Sequence, residues 1–251
     1  MLSIQEFTEE VLALMTIMGY DVRKGGTDVR NIPDFECQWG SAQLILQEIP
    51  HRQEAYCLIN RVTDGGLPGL LWECAAFCRM AGAQRVLALD LPEEAGYPVA
   101  FRVLRMSAGT ADLPKTDAAV WPLLPEQAES YLEHYNRAMA RVPGARSLGR
   151  QDIPGLLEQG GCYFVHRDGQ LLGMGQVEGG CVRALASLVP GAGRDVTAAL
   201  LSVNPWEEAW LEVADTNGRA MKLYRRMGFV PVAVKEVWYD ITDRRGDTYE
   251  L

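Results

Sequence analysis

The second half of the chain alternates between apolar segments and short polar breaks. Two turn pairs, Asp168–Gly169 and Gly179–Gly180, separate three apolar segments, and this spacing predicts antiparallel strands over 162–167, 171–178 and 182–189. Periodicity and chain breakers predict the other elements, which are a strand over 119–124, helices over 125–140, 150–159 and 196–203, a strand from 211, a helix from 217 and a final strand over 229–241. The predicted order is strand, two helices, three strands, helix, strand, helix, strand.

The segment 211–229, LEVADTNGRAMKLYRRMGF, carries the clearest local signals. Asn217 follows a polar turn and is a favoured N-cap residue, and the apolar residues after it recur at helical spacing. Two arginines occupy the last predicted turn, where cations complement the helix dipole. Gly228 then suits the left-handed position that ends a helix. A strand, a capped helix and a new strand are therefore predicted here.

Tyr224 lies on the apolar stripe of this predicted helix. A buried tyrosine needs a hydrogen-bond partner for its hydroxyl unless the hydroxyl points into a cavity. Two interpretations follow from the residues alone, a tyrosine of the core with a satisfied hydroxyl and a tyrosine that serves a site.

The first half of the chain repeats part of this pattern. An amphipathic segment over 4–18 precedes a predicted hairpin of 35–38 with 42–49, a strand over 56–62, a helix over 67–80 and a strand over 85–89. The later piece, from Asp90, lacks a matching tyrosine helix, and Pro98 would interrupt one. Gly, Thr, Asp and Pro between Met106 and Ala119 predict a boundary, with domains over 1–110 and 111–251.

Composition narrows the class of protein. The 251 residues are 48% hydrophobic without a long apolar run, and the acidic N-terminal segment is unlike a secretory signal, so we expect a cytoplasmic globular protein without a membrane partner. A net charge of −9 argues against nucleic acid as a partner. Six scattered cysteines and three histidines predict free thiols and no metal site.

The residues N217-G-R-A-M-K-L-Y-R-R-M-G-F229 resemble the N-x-x-A-x-x-L-Y-x-x-x-G-F signature of the GNAT superfamily, the acetyl-CoA-dependent N-acetyltransferases. With the element order, the resemblance covers residues 119–241. It implies an α+β fold, a mixed and mostly antiparallel sheet flanked by helices, with two GNAT-like lobes in tandem. The first lobe is interpreted as a degenerate copy, and an unrelated α+β domain is the alternative.

The resemblance also implies where acetyl-CoA binds. The family places a V-x-P strand end and a Q/R-x-x-G-x-G/A loop where this chain has VPGAGRDVTAALL, and backbone amides at a helix start suit phosphates. An ungapped comparison assigns the phosphate-cradling positions to Gly193, Arg194, Asp195, Val196, Thr197 and Ala198. Gly193 stands where the family has Arg or Gln, and Asp195 adds a negative charge. A register with Gly191 and Gly193 on the family glycines is the alternative.

Catalytic roles follow from the same resemblance. Main-chain groups near Leu188 and Val189 would hold the pantetheine, Asn217 would contact the cofactor, and Tyr224 would protonate the leaving thiolate. Glu178 and Glu212 are the two candidates for the base that deprotonates the amine, and a solvated turn carboxylate is the alternative for Glu178.

The acceptor is expected to be a small-molecule or peptide amine, and a homodimer is compatible with the sequence. Tyr131, Tyr135 and Trp238 would line the acceptor pocket or pack in the core. Direct transfer in a ternary complex is the expected activity. A non-catalytic GNAT-like module that binds acyl-CoA or regulates another protein is the alternative.

Overall fold

The computed structural model describes residues 31–109, 113–203 and 206–243. The predicted amphipathic segment over 4–18 lies outside the described residues. Contacts divide the chain into two compact units, of which the second consists of residues 102–235 and the first of the residues on either side. Within the described part, no helix has the length and apolar character needed to cross a membrane.

The first unit is built on a short antiparallel meander followed by a helix and a parallel strand. Its elements are β1 (Asn31–Cys37), β2 (Gly40–Ile45), α1 (Ile49–Arg52), β3 (Glu54–Val62), α2 (Leu67–Met80), β4 (Arg85–Leu89), a 3₁₀ turn (Glu93–Ala95) and the start of β5 (Val99–Gly109). Strand β2 ends at Ile45 instead of the predicted residue 49, since Pro50 suits a helix start and α1 begins there.

The second unit contains the predicted order of elements. They are β6 (Ala119–Pro122), a 3₁₀ turn (Pro125–Gln127), α3 (Ala128–Met139), a 3₁₀ turn (Arg150–Asp152), α4 (Ile153–Gln159), β7 (Cys162–Arg167), β8 (Gln170–Glu178), β9 (Cys181–Ser187), α5 (Gly193–Leu201), β10 (Glu208–Ala214), α6 (Gly218–Arg226) and β11 (Val230–Asp240). The residues of β11 from 236 onward belong to the first unit. Helix α5 begins three residues before its predicted start.

The two halves of the chain share one series of elements, as the sequence predicted. Strands β1, β2 and β3 pair antiparallel, and α2 leads to β4, which pairs parallel to β3. Strands β7, β8 and β9 likewise pair antiparallel, and α5 leads to β10, which pairs parallel to β9.

Each unit takes its last strand from the other half of the sequence. In the first unit, β4 pairs antiparallel with residues 238–240 of β11. In the second unit, β10 pairs antiparallel with residues 103–109 of β5. The division by contacts therefore differs from the predicted boundary at residue 110. Hydrogen bonding between strands decides which unit each strand end joins, and a local break in composition does not reveal that pairing.

The second unit packs helices on both faces of its sheet. Helices α5 and α6 bury one face with β8 and β10, and α3 covers the other face of β7, β8 and β9. Two glycines of β8 allow α5 to lie close: a Cβ on Gly173 would meet Val196 Cγ2 at 2.6 Å, and one on Gly175 would meet Leu200 Cδ1 at 2.5 Å.

Replacing Gly173 by alanine tests this close packing. The new Cβ would lie 2.4 Å from the Ala186 carbonyl oxygen and must displace strand or helix. We expect Gly173→Ala to lower the free energy of unfolding by about 1–3 kcal/mol, as overpacked cores do, measured by urea denaturation.

Gly155 in α4 provides the matched control, because a Cβ there has no atom within 4 Å. We expect Gly155→Ala to leave the protein unchanged or stabilise it by about 0.5–1 kcal/mol through helix propensity. Equal stability of the two alanine variants would contradict the packing argument.

Candidate functional site

Strands β9 and β10 pair at their start and then separate. The paired residues are Cys181 with Trp210 and Val182 with Leu211, and the register of β9 against β8 shifts just beyond them. Two residues of β9, Ala184 and Leu185, stand opposite one residue of β8, and Ala184 has the left-handed φ of 50°. This bulge bends β9 where its pairing with β10 ends. A gap between two neighbouring strands results.

The loop that follows β9 leads directly into helix α5. Because α5 begins at Gly193, the backbone N–H groups of its first turn have no intrahelical acceptor, and they point out of the helix start. Ala192, just before the helix, has no side-chain cap that would satisfy them. These amides form the part of the loop that an anion can reach.

The structure divides the predicted cofactor residues into two sets. Gly193, Arg194 and Asp195 form the first turn of α5, where amides are free of the helix ladder. Val196, Thr197 and Ala198 lie deeper in the helix, buried, and the Thr197 hydroxyl donates to the Gly193 carbonyl at 2.7 Å. The reachable positions are therefore the first three of the six that the ungapped comparison assigned.

The main chain at the end of β9 is partly engaged. The amides of Leu188 and Val189 both donate to the Leu172 carbonyl, at 2.9 and 3.3 Å. The Val189 carbonyl accepts from the Ser187 hydroxyl at 2.7 Å and from the Ala192 amide at 3.2 Å. These bonds hold the loop against β8, so the expected pantetheine contacts at Leu188 and Val189 cannot use the two amides.

The first turn of α5 touches helix α6. A Cβ on Gly193 would lie 3.0 Å from Leu223 Cδ2 and 3.9 Å from Ser187 Cβ. An arginine or glutamine at this position, as in the family pattern, would require Leu223 to move. The contact also brings the loop and the helix that carries Tyr224 to one place.

Helix α6 has the ends that its sequence predicted. The Asn217 side chain accepts a hydrogen bond from the Ala220 amide at 3.2 Å, which caps the helix. Gly228 has φ of 93°, and the Phe229 amide donates to the Tyr224 carbonyl at 3.0 Å. The capping role of Asn217 is thus confirmed, and its contact with a cofactor stays a prediction.

Tyr224 is 7% exposed and packs at 6.0 Å, between ring centroids, from Phe229. Its hydroxyl has no hydrogen-bond partner among the residues that the structure describes. Burial raises the pKa of the phenol to about 12. The side chain therefore carries its proton at neutral pH and has an unused donor.

An open cavity of about 350 Å³ adjoins the loop and the first turn of α5. Its lining consists of Arg167, Asp168, Gln170, Leu172, Val189, Pro190, Gly191, Ala192 and Asp195. Arg167, at the end of β7, contributes its cation and was absent from the sequence-based site. A loop motif cannot reveal it, because β7 reaches the loop only through the pairing of the sheet.

Arg167 is held by groups from two segments, helix α5 and the stretch before β6. Its Nη2 lies 2.9 Å from Asp195 Oδ2 and donates to the Thr116 hydroxyl at 3.2 Å, and its Nε lies 2.8 Å from Asp117 Oδ1. Asp168 lines the cavity as well. The cavity thus combines one cation with carboxylates that oppose an anionic ligand.

The two candidate bases occupy different environments. Glu178 is 65% exposed beside Arg183. It pairs with Cys181 at the start of β9, which is more than about 20 Å along the strand from Val189 and the loop. Glu212 follows the last residue of β10 that pairs with β9, and its Oε1 lies 2.9 Å from Arg105 Nη2. Only Glu212 adjoins the gap.

The three predicted acceptor aromatics are mostly packing residues. Tyr131 is 1% exposed against Phe164, and Trp238 packs in the first unit between Tyr56 and Phe101. Tyr135 is half-buried on α3. No described group of three or more His, Cys, Asp or Glu side chains is arranged to hold a metal ion.

Removing the cap of α6 gives a direct test of the helix start. Asn217→Ala deletes the acceptor of the Ala220 amide, and we expect it to lower the free energy of unfolding by about 1 kcal/mol in urea denaturation. Asn217→Asp keeps an acceptor oxygen and places a negative charge at the helix start, so it should remain near the wild type. An unaffected alanine variant would show that the cap contributes nothing.

The burial of Tyr224 predicts that its hydroxyl loses its proton at an unusually high pH. Its pKa is raised from 10.0 to about 12, so the stability that burial of the neutral phenol contributes is complete below pH 10 and is lost as pH rises through about 12. The ultraviolet titration of the wild type minus that of Tyr224→Phe should centre near pH 12. A difference centred near 10 would mean that the hydroxyl is solvated.

Solved structures share the fold over three quarters or more of the chain. The GCN5-related N-acetyltransferase from Kribbella flavida aligns with a TM-score of 0.51 and 12% identity, over 96% of this chain and 66% of that one. The GCN5-related N-acetyltransferase from Anabaena variabilis ATCC 29413 aligns with a TM-score of 0.53 and 11% identity, over 75% of this chain and 55% of that one.

No family model matches the sequence. The search of curated proteins likewise gives no match. At identities this low a likeness between structures establishes the fold alone. The α+β class and the mixed sheet predicted from the sequence are confirmed, and the chain has the fold of the GCN5-related N-acetyltransferases.

Proposed function

We propose that the protein is an acetyl-CoA-dependent N-acetyltransferase that acts on an amine. The observation that carries the proposal is Tyr224, a buried phenol whose hydroxyl has no described partner, on the helix that packs against the loop after β9. A positioned proton donor is what a leaving thiolate requires. The gap between β9 and β10 adjoins the same loop.

Coenzyme A would be held mainly by the main chain. Its pyrophosphate suits the free amides at Gly193, Arg194 and Asp195, because a helix start attracts anions. The pantetheine arm suits the edge of β9 beyond Val182, where described pairing with β10 has ended. The main chain therefore suits coenzyme A. The side chains suit it only in part, because the carboxylates of Asp168 and Asp195 repel the phosphates.

The transfer would proceed in one ternary complex. The neutral amine attacks the thioester carbonyl, the C–N bond forms, and the tetrahedral intermediate collapses as the C–S bond breaks. Tyr224 donates its proton to the departing thiolate, and the amine proton passes to a carboxylate or to water. Since burial raises the pKa of Tyr224 to about 12, the phenol carries the proton to be donated throughout the neutral pH range.

Glu212 is the better placed of the two candidate bases. It lies on β10 beside the gap, and its side chain points to the face opposite the buried Leu211 and Val213. Arg105 holds its carboxylate at 2.9 Å and stacks over the Trp210 ring at 4.0 Å, which fixes the orientation of the group.

A second candidate function is a non-catalytic module with this fold. The observation that favours it is the acidic cavity. Arg167 is the only cation among the described residues of the lining, and it is already paired with Asp195. Such a module would bind acyl-CoA or regulate another protein without turnover, and Tyr224 would not act as an acid in it.

Binding and turnover distinguish the two functions. We expect acetyl-CoA to bind in calorimetry, and thiol release to occur with at least one member of a panel of amines. Tyr224→Phe should lower kcat by about 10²–10⁴-fold and leave the Kd for acetyl-CoA unchanged, since it removes only the acid. Turnover unaffected by this substitution would exclude Tyr224 as the acid. Absence of acetyl-CoA binding would exclude the proposed activity.

The base is tested by a matched pair of substitutions. Glu212→Gln should lower kcat at neutral pH by about 10²-fold or more, and the loss should shrink as pH rises and the amine deprotonates by itself. Glu178→Gln makes the same chemical change in a carboxylate far from the gap and should leave kcat unchanged. Equal effects of the two variants would remove Glu212 from the mechanism.

A further inference from the structure

Arg167, the one cation among the described residues that line the cavity beside α5, is already paired with an acid. Arg167 Nη2 lies 2.9 Å from Asp195 Oδ2, and Asp195 is the third residue of α5. Its carboxylate therefore stands where the helix dipole and the guanidinium both favour a negative charge. A ligand phosphate in this cavity would seek the same two partners.

We propose that Arg167 binds the pyrophosphate of acetyl-CoA and that Asp195 competes with the pyrophosphate for it. The proposal rests on the proposed function, and it makes one ion pair a limit on the affinity for the cofactor. Arg167 supplies from β7 a cation that the loop does not carry at Gly193, where an added Cβ would already lie 3.0 Å from Leu223 Cδ2.

The surroundings of Arg167 allow such an exchange. The Thr116 hydroxyl accepts from Nη2 at 3.2 Å and keeps the guanidinium at the cavity when Asp195 turns away. Asp117, the other acid, is 80% exposed and so neutralises Arg167 weakly. The Asp195 side chain is 30% exposed, so its carboxylate can rotate towards solvent without being buried unpaired.

Asp195→Asn tests the competition. It removes the competing charge and keeps the shape of the side chain, and we expect the Kd for acetyl-CoA to fall by about tenfold in calorimetry at low salt. Asp168→Asn is the matched control, because it removes the same charge from the same lining without touching the ion pair. Its effect should be clearly smaller. An equal or larger effect of Asp168→Asn would overturn the proposal.

Arg167→Gln, combined with Asp195→Asn, completes a double-mutant cycle. Alone it should raise the Kd for acetyl-CoA by about tenfold, and in its background Asp195→Asn should bring no further gain. A gain that persists without Arg167 would overturn the proposal. Thermal unfolding of each variant shows that a change in Kd does not reflect a misfolded protein.

Two further thioesters identify the phosphate. S-acetylpantetheine has no phosphate, so Asp195→Asn should leave its binding or turnover unchanged. Acetyl-3′-dephospho-CoA keeps the pyrophosphate and should show the full gain, and a gain confined to the 3′-phosphorylated compound would overturn the assignment to pyrophosphate. If neither the wild type nor Asp195→Asn binds acetyl-CoA, the proposed function fails as well. If the wild type binds and Asp195→Asn binds no more tightly, only this inference fails.

Discussion

The separation of β9 from β10 is the constraint on which the candidate site depends. Two parallel strands that paired along their whole length would leave no gap beside the loop that follows β9. The bulge at Ala184 bends β9 after its pairs with β10 at Cys181 and Val182. Helix α5 then begins beside that gap with its free amides at the edge of the cavity.

Close helix packing supports this arrangement. Gly173 and Gly175 let α5 lie on β8, and Gly193 lets the start of α5 touch Leu223 on α6. Side chains at Gly173 and Gly175 would move α5 away from the sheet, and one at Gly193 would press on Leu223. The same packing buries Tyr224, and burial in turn raises the pKa of its hydroxyl. The acid proposed for the thiolate is therefore a product of packing and does not depend on a charged neighbour.

The first unit repeats the scaffold without repeating the site. Its strand β4 is followed by the 3₁₀ turn Glu93–Ala95 in place of a helix that corresponds to α6. The repeat thus lacks the position that Tyr224 occupies in the second unit. Residues 238–240 of β11 pair with β4, so the first unit retains its sheet by means of a strand that follows α6 in the sequence.

The order of elements, the Asn217 cap, the turn at Gly228 and the burial of Tyr224 followed from the sequence, because capping, turn geometry and apolar periodicity act over a few residues. The early start of α5 did not, since glycine and proline before it have the composition of a loop. The ion pair of Arg167 with Asp195, the bulge in β9 and the origin of each last strand were decided only by tertiary structure. Each of them depends on which distant segments become neighbours, and that follows from strand register and packing across the whole sheet.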